Sequence, residues 1–296
     1  MNPEHFSYYK NFLYKNSGLA ITEAKIYLLE SRLTPVAKKH GFADLAAMTQ
    51  SLRSAANAVI EKDVIDAMMT NETLFFRDER PFRQLTTNVM PSMVAARENL
   101  KSLRIWSAAC STGQEPYSIA MTIADNFPQL GNWAVNIMAT DLSDIALTQA
   151  RTAEYNQFEV QRGLPIQMLM KHFEQDGQKW RINEKIRKMV NFKNFNLLES
   201  MDALPRFDII LCRNVLIYFD EATKKKILSN MLKKLAPDGF LFLGGAESVM
   251  GLCPELKHVH DSPGLYTIRA EQPVSVQSAA IGENKPAEIV TRTGSL

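Results

Sequence analysis

Four short apolar runs, RIWSAAC (104–110), VNIMATD (135–141), FDIILCRN (207–214) and GFLFLGG (239–245), each end in small or polar residues. Between them lie amphipathic segments of helical period at 115–126, 143–151 and 221–235. Runs this short and continuous suit strands buried on both faces, and helices between such strands impose crossover connections. The pattern therefore predicts an α/β doubly wound domain with a mostly parallel sheet. A chain of 296 residues that is 46% hydrophobic has enough apolar mass for that core and for a smaller second unit.

The smaller unit precedes the first run. Phe6, Tyr9, Phe12 and Leu13 recur at helical spacing, as do Ile26, Leu29 and Leu33, and Leu45, Met48, Leu52, Val59, Val64, Ile65 and Met68 add further apolar faces. Thr22 is placed to cap the second helix. A helical N-terminal domain with its linker is expected over 1–77, a long helix over 78–100, and the main domain over 78–270. The regular alternation lapses at 155–191, where Asp176 and Gly177 in QDGQKWRI mark a hairpin, so a small β insertion is expected there. After Arg269 the scattered apolar residues keep no period, and 271–296 reads as a disordered tail.

Charge and cysteine content exclude several classes. Lys and Arg total 34 against 32 acidic residues, a formal charge of +2, which does not suit a chain that coats nucleic acid. Lys25, Arg32 and Lys39 nevertheless fall at seven-residue spacing and form either a basic face for an acidic helical partner or an ordinary solvated face. Cys110, Cys212 and Cys253 are odd in number and form no CxxC pair, which fits a reducing, cytoplasmic setting. No segment offers the roughly 18 consecutive apolar residues of a membrane span, and the polar start is no export signal.

The ends of the runs carry the candidate chemistry. In doubly wound folds the ligand lies across the carboxyl ends of the strands, and an acidic residue ending the second strand accepts hydrogen bonds from ribose hydroxyls. Asp141 stands there, as a ribose ligand or as a helix N-cap in competition with Ser143. The loop SAACSTGQEPYS (107–118) has small residues, one glycine suited to positive φ (Gly113) and the start of a helix. It lacks GxGxxG, which disfavours a dinucleotide. Glu115 either steadies that helix through its dipole or pairs with a cationic group on the ligand. A ligand with a ribose, a positive charge and no phosphate suits this set, and S-adenosylmethionine is such a ligand; a degenerate dinucleotide fold is the competing reading. His258 and His260 in HVH lack a third ligand, so no metal is expected.

Four stretches in order, TNETLFFRD (70–78), SAACSTGQEPYS (107–118), FNLL (195–198) and CRNVLIYFD (212–220), resemble CheR, the chemotaxis receptor methyltransferase family. The resemblance runs from about Phe6 to Arg269. It implies a Rossmann-like S-adenosylmethionine-dependent methyltransferase domain with an inserted β-subdomain behind an all-α domain. The implied activity is methylation of glutamate carboxylates on chemoreceptor cytoplasmic helices, giving methyl esters. By motif position, Asn71, Thr73 and Arg77 would reach the cofactor from the linker, and Glu115 and Asp141 would hold its methionine and ribose parts. Asn196, Leu197, Asn214 and Val215 would surround the adenine and the reacting end, with Arg77 and Tyr218 nearest the chemistry.

A glutamate nucleophile, with an ordinary pKa of about 4.3, needs no general base, so positioning and exclusion of water carry the reaction. Arg77 can orient a carboxylate with its planar donors and Tyr218 can donate one hydrogen bond. Simpler roles stand beside these: Arg77 paired with Asp78 or Glu79, Tyr218 as a core aromatic, Asn71 and Thr73 as helix caps. Some family members recognise a peptide at the receptor's C-terminus by strand addition to the insertion. The compact FEQDGQKWRI turn argues against such tethering here.

Overall fold

The computed structural model describes residues 1–269, and the tail expected at 271–296 lies outside the described residues. The chain begins with α1 (Pro3–Ser17), α2 (Ile26–Lys39), α3 (Leu45–Ser54) and α4 (Ala58–Met68). The side chains of Asn2, Asp44 and Asn57 cap α1, α3 and α4 by accepting first-turn N–H groups. Tyr9, Leu13, Leu29, Leu33, Met48 and Val64 meet in a core private to this unit. Thr22 makes no capping hydrogen bond and precedes a 3₁₀ turn, Glu23–Lys25, in place of the α-helix expected to start there.

That turn also bears on the basic stripe. Lys25 sits in it, ahead of α2. The Arg32 guanidinium donates to the carbonyls of Met68 and Met69 at 2.9 and 3.1 Å, closing the end of α4, and Lys39 pairs with Asp63 at 2.7 Å. Equal spacing placed the three in register, but the end of α4 and Asp63 draw two of them into contacts within the helical unit.

The helix expected over 78–100 runs from Arg80 to Arg97, as α5 (Arg80–Gln84), a π-helical turn (Leu85–Val89) and α6 (Met90–Arg97). Positive φ at Phe76, Asp78 and Glu79 makes a tight turn ahead of it and delays its start. The sheet domain follows with β1 (Ser102–Ala108), α7 (Gln114–Asn126), β2 (Ala134–Asp141) and α8 (Asp144–Thr152). Next come β3 (Glu154–Asn156), α9 (Gln157–Gln161), α10 (Ile166–His172), β4 (Phe173–Asp176), β5 (Lys179–Ile182) and α11 (Glu184–Arg187). The chain ends its described part with β6 (Val190–Asn194), β7 (Phe207–Cys212), α12 (Glu221–Lys234), β8 (Leu235–Leu243), β9 (Leu256–His258) and β10 (Leu265–Ile268).

The main sheet has seven strands in the order β6-β2-β1-β7-β8-β10-β9, and β3-β5-β4 form a separate three-stranded sheet. Pairing is parallel from β6 to β8, while β10 runs antiparallel to both of its neighbours. The β4–β5 hairpin turns at Gly177 and Gln178, directly after Asp176. Alternation along β1 divides the core: Leu103 and Ile105 face the side packed by α7, Trp106 and Ala108 the side packed by α12. The buried Trp106 Nε1–H donates to Thr140 Oγ1 at 2.9 Å, so this large ring leaves no unpaired polar atom. Strand order reverses between β1 and β7, which opens a crevice at their carboxyl ends.

Candidate active site

The loop after β1 enters that crevice with positive φ at Ala109, Ser111 and Gly113, Gly113 having the φ of 96° that its sequence context suggested. This winding turns the Ser111 N–H onto Asp141 Oδ2 at 2.8 Å, and Ser143 N–H donates to Oδ1 at 2.9 Å. Ser143, not Asp141, caps α8, its Oγ accepting from Ala146 N–H at 3.2 Å. Asp141 is thereby free of the capping task. Burial raises its pKa above the ordinary carboxylate value, against the lowering effect of its backbone donors.

Opposite it, Arg213 directly follows β7, and its side chain is 1% exposed. Its guanidinium donates to Glu115 Oε2 and Asp78 Oδ2, each at 2.8 Å, and to the Arg77 carbonyl at 2.8 Å. Glu115 Oε1 accepts from Ser107 Oγ–H at 2.8 Å. Glu115 thus meets a cation of the protein itself, and Arg213 ties the strained linker turn to the sheet. Arg77 is paired with neither Asp78 nor Glu79: its Nη1 donates to the Glu72 carbonyl at 3.0 Å. Asn71 and Thr73 cap no helix, since α5 starts at Arg80 without a side-chain cap. Asn71 offers its carbonyl to Ser111 Oγ–H at 2.8 Å.

The helical unit forms the remaining wall. Asn196 Nδ2 donates to the Asn16 carbonyl at 2.7 Å, Ala20 N–H to the Tyr218 carbonyl at 3.3 Å, and Tyr14 Oη–H to Asp220 at 2.8 Å. Between the two units is a cleft whose empty space, including the part open to solvent, is about 1020 Å³. Asn71, Thr73, Arg77, Glu115, Asp141, Asn196, Leu197, Asn214, Val215 and Tyr218 all line it. Arg213, Ser17, Leu19, Met68 and Met69 line it too, none of them expected at the ligand, Met68 having been read only as part of an apolar helix face. A charged residue closing an apolar strand was a visible signal for Arg213; for the helical-unit residues there was none.

A crevice of this size, with a buried carboxylate after the second strand and no glycine-rich phosphate loop, defines a nucleoside-cofactor site of the methyltransferase type. Arg213, its Nη atoms taken by protein acceptors, forms the floor of this site and keeps Glu115 and the linker turn in place behind it. The family described as CheR methyltransferase, SAM binding domain, matches residues 71–263, and its all-alpha domain matches residues 4–68. The chain belongs to the CheR methyltransferase family, and its cofactor is S-adenosylmethionine.

Relatives support the same assignment. The chain is 41% identical over 265 residues to chemotaxis protein methyltransferase Cher2 of Pseudomonas putida, covering 88% of this chain and 96% of that protein. Chemotaxis protein methyltransferase 1 of Pseudomonas aeruginosa is 40% identical over the same shares. The chemotaxis protein methyltransferase of Salmonella typhimurium is 33% identical, with 86% of this chain and 87% of that protein covered. No helix among the described residues is long and apolar enough to cross a membrane.

Proposed function

We propose that this protein methylates glutamate side chains on the cytoplasmic helices of chemoreceptors, giving methyl esters. The observation that carries the reading is the lack of a free base in the cleft. Its carboxylates are Glu72, Glu115 and Asp141. Glu115 is held by Arg213 and Ser107 and Asp141 by two backbone N–H groups, Glu72 is a largely exposed carboxylate far too weak a base to deprotonate an ammonium, and no histidine lines the cleft. An amine, with an ordinary pKa of about 10.4, would have to lose a proton before attack, whereas a glutamate is already ionised. The relatives' names, chemotaxis protein methyltransferases, supply the pathway.

S-adenosylmethionine supplies the electrophilic methyl group when bound. Asp141 would accept from the ribose hydroxyls, and Asn196, Leu197, Asn214 and Val215 would enclose the adenine and reacting end. Glu115, with Asn71 and Thr73, would hold the methionine moiety. Arg77 and Tyr218, both half-buried at the cleft, orient the incoming carboxylate. Walls from both units exclude water, which strengthens these contacts. The edge strands β3 and β4 of the inserted sheet have only three and four residues, a short template for an added strand, so a receptor tail peptide is not required.

The test is transfer of labelled methyl to purified receptor cytoplasmic fragments with and without their last residues. Base-labile label of equal extent on both supports the proposal; label only on the longer fragments sinks the tether-independent part, and base-stable label sinks the ester.

A further inference from the structure

The turn after β8 holds a carboxylate that touches the cleft only through other residues. Glu247 is 9% exposed, and its oxygens accept from four backbone N–H groups. Oε2 takes Asn214 at 2.8 Å and Gly244 at 2.7 Å; Oε1 takes Val215 at 2.9 Å and Leu216 at 2.7 Å. Three successive N–H groups converging on one anion form a backbone concavity that a carboxylate fills well. The first of them, Asn214, has φ of 58°, a left-handed conformation that persists only where surroundings hold it. Asn214 and Val215 line the cleft, Glu247 does not, and Leu216 starts the 3₁₀ turn that ends at Tyr218.

We infer that Glu247 is a positioning residue for methyl transfer: it fixes the Asn214–Leu216 backbone, and with it the cofactor-facing side chains and the turn carrying Tyr218. The inference rests on the reading of the cleft as the S-adenosylmethionine site. Gly244 completes the cradle. A Cβ there would stand 2.7 Å from Glu247 Oε2 and 2.9 Å from the Asn214 N atom, so any side chain would displace the carboxylate or the loop.

Glu247→Gln keeps the volume but turns an NH₂ donor toward backbone donors. Gly244→Ala disturbs the same cradle while keeping the carboxylate, and covers the case in which Glu247→Gln fails to fold. Both variants are expected to raise the Kd and KM for S-adenosylmethionine about tenfold and to lower kcat severalfold, measured well below the lowest melting temperature. Asp238→Ala, which removes an Arg97 partner at the amino ends of the strands, is the destabilised control and keeps its KM within about twofold. Cradle variants that shift KM no more than this control would overturn the inference. Asp141→Ala and Asn214→Ala separate the two levels: if they weaken cofactor binding and the cradle variants do not, only the positioning role falls. If none of them alters binding, the cofactor assignment of the cleft falls with it.

Discussion

Arg213 brings a charge into a nearly dry site, where its value depends on three acceptors drawn from distant parts of the chain: Glu115, Asp78 and the Arg77 carbonyl. Removing one partner of a buried pair leaves the other charge without compensation. Arg213→Ala is expected to cost about 3–5 kcal/mol of unfolding free energy. Arg213→Lys recovers less than half of it, because an ammonium cannot serve the same fork of acceptors. Denaturant titration checks both; an Arg213→Ala curve that overlays wild type would contradict the network. The cleft residues of the linker and the sheet domain, such as Asn71, Asp141 and Asn214, were legible because each stands at a strand end or in a motif whose position can be read from the sequence. The role of Arg213 was not, since its partners are brought together only by the fold, and Glu247, in the loop beyond the apolar run that forms β8, binds backbone that no side-chain pattern marks.

Helices and strands were read well where burial imposes a period. β1, β2, β7 and β8 each contain a short apolar run that is mostly buried, and α7, α8 and α12 carry buried apolar residues at helical spacing. Less visible were β6, an edge strand of mixed polarity (VNFKN), and the short β9 and β10, whose pairing depends on distant partners. Element packing also has a pH signature. Arg97 of α6 donates to Asp208 at 2.7 Å and to both oxygens of Asp238 at 2.7 and 2.6 Å, joining α6 to β7 and β8. The Arg97 hydrogen bond holds the Asp238 carboxyl below its ordinary value. A depressed acid stabilises the fold above its unfolded pKa, near 3.9, and that contribution is lost as pH falls through the lower folded value. Because Asp238 is half exposed, the effect is at most about 1 kcal/mol. Asp238→Asn should flatten the acid limb of a stability–pH curve below about pH 4 while leaving its slope near neutrality unchanged; a parallel limb would contradict the assignment.

Across the whole molecule, the helical unit has its own core, yet Ser17, Leu19, Met68 and Met69 complete the cleft of the sheet domain. The sequence separates the two units but gives no sign of which faces meet, because those contacts, among them the ion pair of Lys62 with Asp144 and the close approach of Gly18 to Phe219 and Leu198, are spread over several loops and helices. A ligand bound between the units stabilises both by mass action, about 2.7 kcal/mol at a hundredfold excess over Kd. Hydrogen exchange with S-adenosylhomocysteine present should therefore slow at 16–20 and 68–73 as well as in the loops after β1 and β7. Protection confined to the sheet domain would contradict a cleft shared by both units.

The proposed chemistry is delivery of a methyl group from this cleft to a carboxylate oxygen. Its most direct test is mass spectrometry of receptor fragments incubated with S-adenosylmethionine and wild-type protein, Asp141→Ala or Tyr218→Phe, with and without mild base. The predicted result is a methyl ester on glutamate, removed by base, at least tenfold reduced for Asp141→Ala at limiting cofactor and reduced at saturating cofactor for Tyr218→Phe. A base-stable methyl on nitrogen, or full ester formation by Asp141→Ala, would contradict it.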